Sequence, residues 1–262
     1  MTRSDLARKA LQASITARKV AGVPLLDPIS SIDLAETLGV KVRFVDINME
    51  GMYKGGREPR ILISSLRPLA RRNFTCGHEL GHHFFGHGSS IDELQAVSKA
   101  SARQPEEYLA NVFSGFLLMP PPAVTRAFVD RGLTIESCRP QDLLRIASVF
   151  GVGYDTLVTH LSASNLLTKD RAKSLRRVGP AGARKELLEL ETSEALVVID
   201  EHFEAKTLDM QVGMLALVPL DVETSGDCLV QIAGAVVGKL FEARCPAPPK
   251  MTTPEFKFFV SN

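Results

Sequence analysis

Residues 67–87 read RPLARRNFTCGHELGHHFFGH, and this stretch decides the fold. Proline is favoured in a first helical turn, and no glycine follows Pro68 until Gly77, so the spacing predicts one long helix. His78, Glu79 and His82 form an HExxH motif on it. Residues four apart share a helix face, so both imidazoles can reach one metal ion while Glu79 is left to move protons. Zinc in a catalytic site takes three protein ligands and keeps one position open. The extended form HExxHxxGxxH is absent, because Phe85 stands at its glycine and Gly88 at its third histidine. The third ligand must therefore come from another segment.

The next segment that offers one is 105–118, which Pro105 opens and the prolines at 120–122 close. Leu109, Val112, Phe113, Phe116 and Leu117 repeat at helical spacing, and Ala110, Ser114 and Gly115 keep one face small enough for close helix approach. Glu107 is the expected third ligand, Glu106 its rival, and Asn111 a candidate hydrogen-bond partner that orients a ligand. Zinc on His78, His82 and Glu107 would acidify a water and polarise a carbonyl, with Glu79 as general base, which is the chemistry of peptide hydrolysis.

Outward from the motif, apolar periodicity predicts helices over 6–20 and 32–38. A strand follows at 40–47, and a turn at Gly55-Gly56 precedes a second apolar run at 61–63, together reading as one hairpin. Helical patterns continue to Leu161, and 143–167 has the helix, glycine turn and second helix of a helix-turn-helix unit. Its second helix, 154–161, carries only Asp155 and His160 as charged or titratable groups besides Tyr154, a poor surface for reading DNA. A basic run at 169–185 reads as a linker, an acidic stretch at 186–194 follows, and apolar runs at 195–199, 214–218, 229–237 and 256–260 make the tail strand-rich. The expected class is α+β.

Lysine and arginine number 31 against 30 acids, so no global field draws the 262-residue chain to nucleic acid or an anionic membrane. The four cysteines form no CxxC pair, which speaks against a disulfide framework or a zinc finger. The first twenty residues lack a continuous apolar core, and no run of about 18 apolar residues stands out elsewhere. A cytoplasmic protein without a membrane partner is expected. Cys76, two residues before His78, is a candidate thiolate for the open metal position, whereas His83 and His87 read as surface histidines at a helix end.

The segments RNFTCGHELGH (72–82), EYLANVF (107–113) and LLMP (117–120), with PISSIDLAETLGVKVRF (28–44), resemble the ImmA/IrrE zinc metallopeptidases over roughly residues 20–160. The resemblance implies a helical zinc-peptidase domain with a small sheet at 1–130, and helix-turn-helix-like helices with a basic linker at 131–180. It implies a strand-rich, GAF-like sensor domain at 181–262. It further implies an intracellular endopeptidase that cleaves a helix-turn-helix transcriptional repressor, switching on a stress, DNA-damage or defence response, with single-stranded DNA as a candidate activator. The alternative is a DNA-binding transcriptional regulator in which zinc is structural and Glu79 dispensable. Oligomeric state is left open.

Overall fold

The computed structural model describes residues 2–88, 90–92, 105–203, 207–222, 228–235, 238–244 and 255–259. Its contacts divide the chain into two units, Met1–Ala123 and Val124–Asn262.

The first unit begins with a reciprocal cap: the Thr2 hydroxyl accepts from the Asp5 N–H and the Asp5 carboxylate from the Thr2 N–H. Helix α1 (Arg3–Val20) buries Leu6, Ala10, Ser14, Ala17 and Arg18, a stripe of mostly small residues that lets it lie close along α4 (Pro105–Leu118). The buried Arg18 guanidinium donates to the carbonyls of Leu117, Pro24 and Asp27 at 2.9 Å each, tying α1 to the end of α4. Burial lowers its pKa to about 10, so it is still a cation at neutral pH. Ser30 caps α2 (Ser31–Thr37), and Ser31 bonds the backbone and side chain of Asn73, fixing α2 against α3 (Leu69–Phe85).

Strands β1 (Lys41–Val45), β2 (Gly51–Lys54), β3 (Arg60–Ser64) and β4 (Ser90–Asp92) form one sheet in the order β1-β3-β2-β4. The 40–47 strand and the 61–63 run do not form the hairpin their sequence suggests, because they pair in parallel. The hairpin is β2–β3, with Tyr53 opposite Ile61 across the Gly55-Gly56 turn, and β1 pairs parallel to β3 with Val42 opposite Ile61. Four residues containing a glycine gave β2 too little alternation to read. Val42, Tyr53, Ile61 and Ile63 turn inward and share a core with Cys76 and Leu80 of α3 and Leu109, Phe113 and Leu117 of α4.

Residues Pro105–Val129 are long and apolar enough by composition to cross a membrane, contrary to the expectation that no such run stands out. Core packing accounts for that apolarity. In α4, Leu109, Ala110, Phe113, Ser114, Leu117 and Leu118 are all buried, 61% of the most apolar window is buried, and α5 (Pro121–Val129) starts anew after Pro120.

In the second unit, α6 (Pro140–Val149) and α7 (Tyr154–Ala163) are joined by a turn in which Gly151 takes φ 57°, and both pack on α8 (Lys169–Leu188). The basic run is thus helical, with Ala172, Leu175, Ala183, Leu187 and Leu188 buried and a kink at Gly179-Pro180, where φ is positive and the next residue lacks an N–H. Strands β5 (Leu196–Val198), β7 (Leu215–Val218), β9 (Gly238–Ala243) and β8 (Leu229–Ala235) form a mixed sheet in that order, while β6 (Thr207–Gln211) pairs antiparallel with β10 (Glu255–Phe259). Ser148 of α6 accepts from the Val198 N–H at 2.9 Å, and Arg131 clamps Asp200 with two bonds of 2.6 and 2.7 Å, so helices and sheet of this unit are joined by polar contacts as well as packing. Cys245 and Val260 lie outside the described residues.

Candidate metal centre

Two glycines of α3 set the site. Helices α3 and α4 run antiparallel, with Gly77 against Ser114 and Gly81 against Ala110; a Cβ on Gly77 would lie 2.6 Å from the Ser114 hydroxyl, and one on Gly81 3.0 Å from the Ala110 Cα. Ser114 also donates to the Phe74 carbonyl at 2.8 Å, which locks the register. Residue 107 lies one turn before 110 on that stripe, so the register delivers the Glu107 carboxylate to the histidine pair.

The result is a triangle of donors. His78 Nε2 and His82 Nε2 are 3.0 Å apart, Glu107 Oε2 is 3.4 Å from His78 Nε2, and Glu107 Oε1 is 3.3 Å from His82 Nε2. A tetrahedral ion with bonds of about 2.0–2.1 Å has ligands about 3.3–3.4 Å apart; each histidine has a Glu107 oxygen at that distance, and the two imidazole nitrogens lie somewhat closer together than it. Two neutral imidazoles and one carboxylate are also the right donor chemistry for zinc. Both histidines are buried, Glu107 retains an opening to solvent, and the three form a group that could hold a metal ion. Glu106, the rival ligand, is exposed on the neighbouring face of α4. Asn111 is exposed as well, and the ring nitrogen of His82 that points away from the triangle meets His87 instead.

Glu79 is fully buried beneath β2. The β2 backbone passes so near that a Cβ on Gly51 would lie 2.5 Å from Thr75 Cγ2 and 3.0 Å from Glu79 Oε1. Glycine here permits the close approach that fixes where the Glu79 carboxyl lies. Gly51→Ala is expected to destabilise the protein by about 1–3 kcal/mol, measured by urea unfolding, because neither β2 nor α3 can yield without disturbing the core. One residue pair along, the Tyr53 hydroxyl and His83 Nδ1 are 2.8 Å apart, so β2 is held to α3 at both ends of the site. Burial lowers the His83 pKa and raises that of Tyr53, favouring the neutral pair. His83 is half-buried by this contact and not the surface histidine that its place at a helix end suggested.

Cys76 does not face the donors. It is fully buried in the core, and burial pushes its thiol up to about 12, so it stays protonated. The idea of a thiolate in the open metal position therefore fails on placement. Iodoacetamide is expected to leave Cys76 unmodified in the native protein and to alkylate it in guanidinium, as read by peptide mass.

Residues 35–162 match the peptidase M78 family, described as the IrrE N-terminal-like domain. The matched stretch contains all four strands of the first sheet and the helices carrying His78, Glu79, His82 and Glu107. No curated protein matches the chain.

Proposed function

We propose, from the premise that this chain belongs to the ImmA/IrrE metallopeptidase family through residues 35–162, that it is a zinc-dependent endopeptidase whose substrate is a helix-turn-helix transcriptional repressor. The observation that carries the enzymatic part is the donor group of His78, His82 and Glu107 with Glu79 between the two histidines on α3. Zinc held there supplies Lewis acidity, which makes a water more acidic and a peptide carbonyl more electrophilic. Glu79 would take the proton of the water as its oxygen bonds the peptide carbonyl carbon, and would then return it to the amide nitrogen as the C–N bond breaks, so that no external acid is consumed. Burial under β2 holds its carboxyl in place for both transfers.

The repressor as substrate, and the stress, DNA-damage or defence response that its cleavage would release, rest on the family resemblance. Single-stranded DNA as activator has one physical support: Lys169, Lys173, Arg176 and Arg177 are exposed at helical spacing on one face of α8, where they can meet phosphates. The region 181–262 is assigned as a GAF-like sensor, supported by its strand-rich texture. A cytoplasmic location agrees with the reduced, buried thiols of Cys76 and Cys138. The alternative of a DNA-reading regulator is disfavoured by α7, whose exposed positions are Asp155, Thr159 and Ala163 and offer no cation to a groove.

The test incubates the zinc-loaded full chain with a panel of helix-turn-helix repressors from its own source, with and without single-stranded DNA, and reads intact masses. One defined cut is expected. No cut in either arm by protein carrying one equivalent of zinc would overturn the repressor as substrate.

A further inference from the structure

The left-handed glycine that ends α3 brings a fourth histidine to the site. Gly86 takes φ 67°, and its N–H bonds the carbonyls of His82 and His83. The chain folds back, so the His87 N–H also reaches the His82 carbonyl, at 3.1 Å. The side chain follows: His87 Nδ1 lies 3.1 Å from His82 Nδ1, the two rings are edge-on at 5.1 Å, and the ring of Phe85 stacks on His87 at 5.6 Å.

At 3.1 Å one nitrogen must donate and the other accept. His82 Nε2 is the atom directed at His78 and Glu107, so as a metal ligand it carries no proton, and in the neutral ring the proton is on Nδ1. We infer that His87 is a positioning residue for the metal centre: its Nδ1 accepts the Nδ1–H of His82, fixing the tautomer and ring plane in which His82 presents Nε2 to zinc. The inference rests on the metallopeptidase reading above. His87 then carries its own proton on Nε2.

Metal-bound histidines usually donate to a carboxylate, a backbone carbonyl or water. A neutral imidazole in that place orients the ligand without adding a second negative charge, so an ion bound by one carboxylate keeps more of its positive charge for the carbonyl it polarises.

The test measures zinc affinity of the full chain by competition with a chromophoric chelator, with far-UV circular dichroism as the fold check. His87→Ala is expected to weaken zinc binding by about 10–100-fold, the usual effect of removing such a partner. His87→Asn, whose Oδ1 falls where Nδ1 was, is expected to recover most of that loss. Long-range proton–nitrogen correlation spectra of the zinc-loaded wild type should show His82 protonated at Nδ1 and His87 at Nε2. Unchanged affinity in a folded His87→Ala, an Asn variant as weak as Ala, or His87 protonated at Nδ1 would each overturn the inference. Should His87→Ala not fold, the Asn variant and the wild-type spectrum decide it. Wild type that binds no more zinc than His78→Ala would instead overturn the metallopeptidase reading, and this inference with it.

Discussion

Glu79→Gln is expected to abolish peptide cleavage while leaving zinc bound at one equivalent. Gln keeps the size and one acceptor oxygen of the buried side chain but cannot take a proton, so the water is no longer deprotonated as it attacks and the amine leaves without one. General acid–base catalysis contributes about 10²–10⁴-fold, and here one group serves both transfers, so the loss should reach the upper end of that range. Single-turnover cleavage, read by mass spectrometry beside a metal assay on the same sample, checks both halves. Because Glu79 is fully buried under β2, the variant also tests whether the carboxyl holds the fold: an unchanged melting temperature with lost turnover assigns the effect to chemistry.

His82→Ala is expected to lose metal and cleavage together. It removes one donor of the triangle and the ring that faces His87, so the remaining His78 and Glu107 offer two donors where three are needed. The thermal consequence is as direct. A ligand that binds only the folded state stabilises it by RT ln(1 + [L]/Kd), about 2.7 kcal/mol at a hundredfold excess over Kd. Zinc should therefore raise the melting temperature of wild type and of Glu79→Gln but not that of His82→Ala. Glu79→Gln and His82→Ala thus separate the proton carrier from the metal ligand.

The helix that bears the motif was legible because its evidence is local: Pro68 at the start, uninterrupted spacing to the two histidines, and a glycine after Phe85. Glu107 was legible as one of two candidates, since adjacent residues on a helix differ by 100° of phase, and only the glycine and serine contacts of α3 with α4 fix which one faces inward. Strand β2 escaped because its identity lies in its partners. Gly51 matters through what lies above it, Thr75 and Glu79, and those residues are more than twenty positions away. His87 was set aside as a helix-end histidine, although Gly86 before it carries the signal of a left-handed cap that turns the next residue back over the final turn. Asn111 stands at helical spacing from Glu107, but α4 packs through Leu109, Ala110, Phe113 and Ser114, a tertiary choice of face that leaves Asn111 at the surface. In the second unit, the charge of 169–185 suggested a solvated linker, yet Ala172, Leu175 and Ala183 recur within it at helical spacing and bury one face of α8.

The central claim is that α3 and α4 together build one zinc site from two imidazoles and a carboxylate. X-ray absorption at the zinc edge of the loaded full chain tests it most directly. The account predicts a first shell of nitrogen and oxygen at about 2.0–2.1 Å with the outer-ring scattering of two imidazoles, and loss of the bound ion in Glu107→Ala. A sulfur shell near 2.3 Å, or a spectrum unchanged by Glu107→Ala, would contradict it.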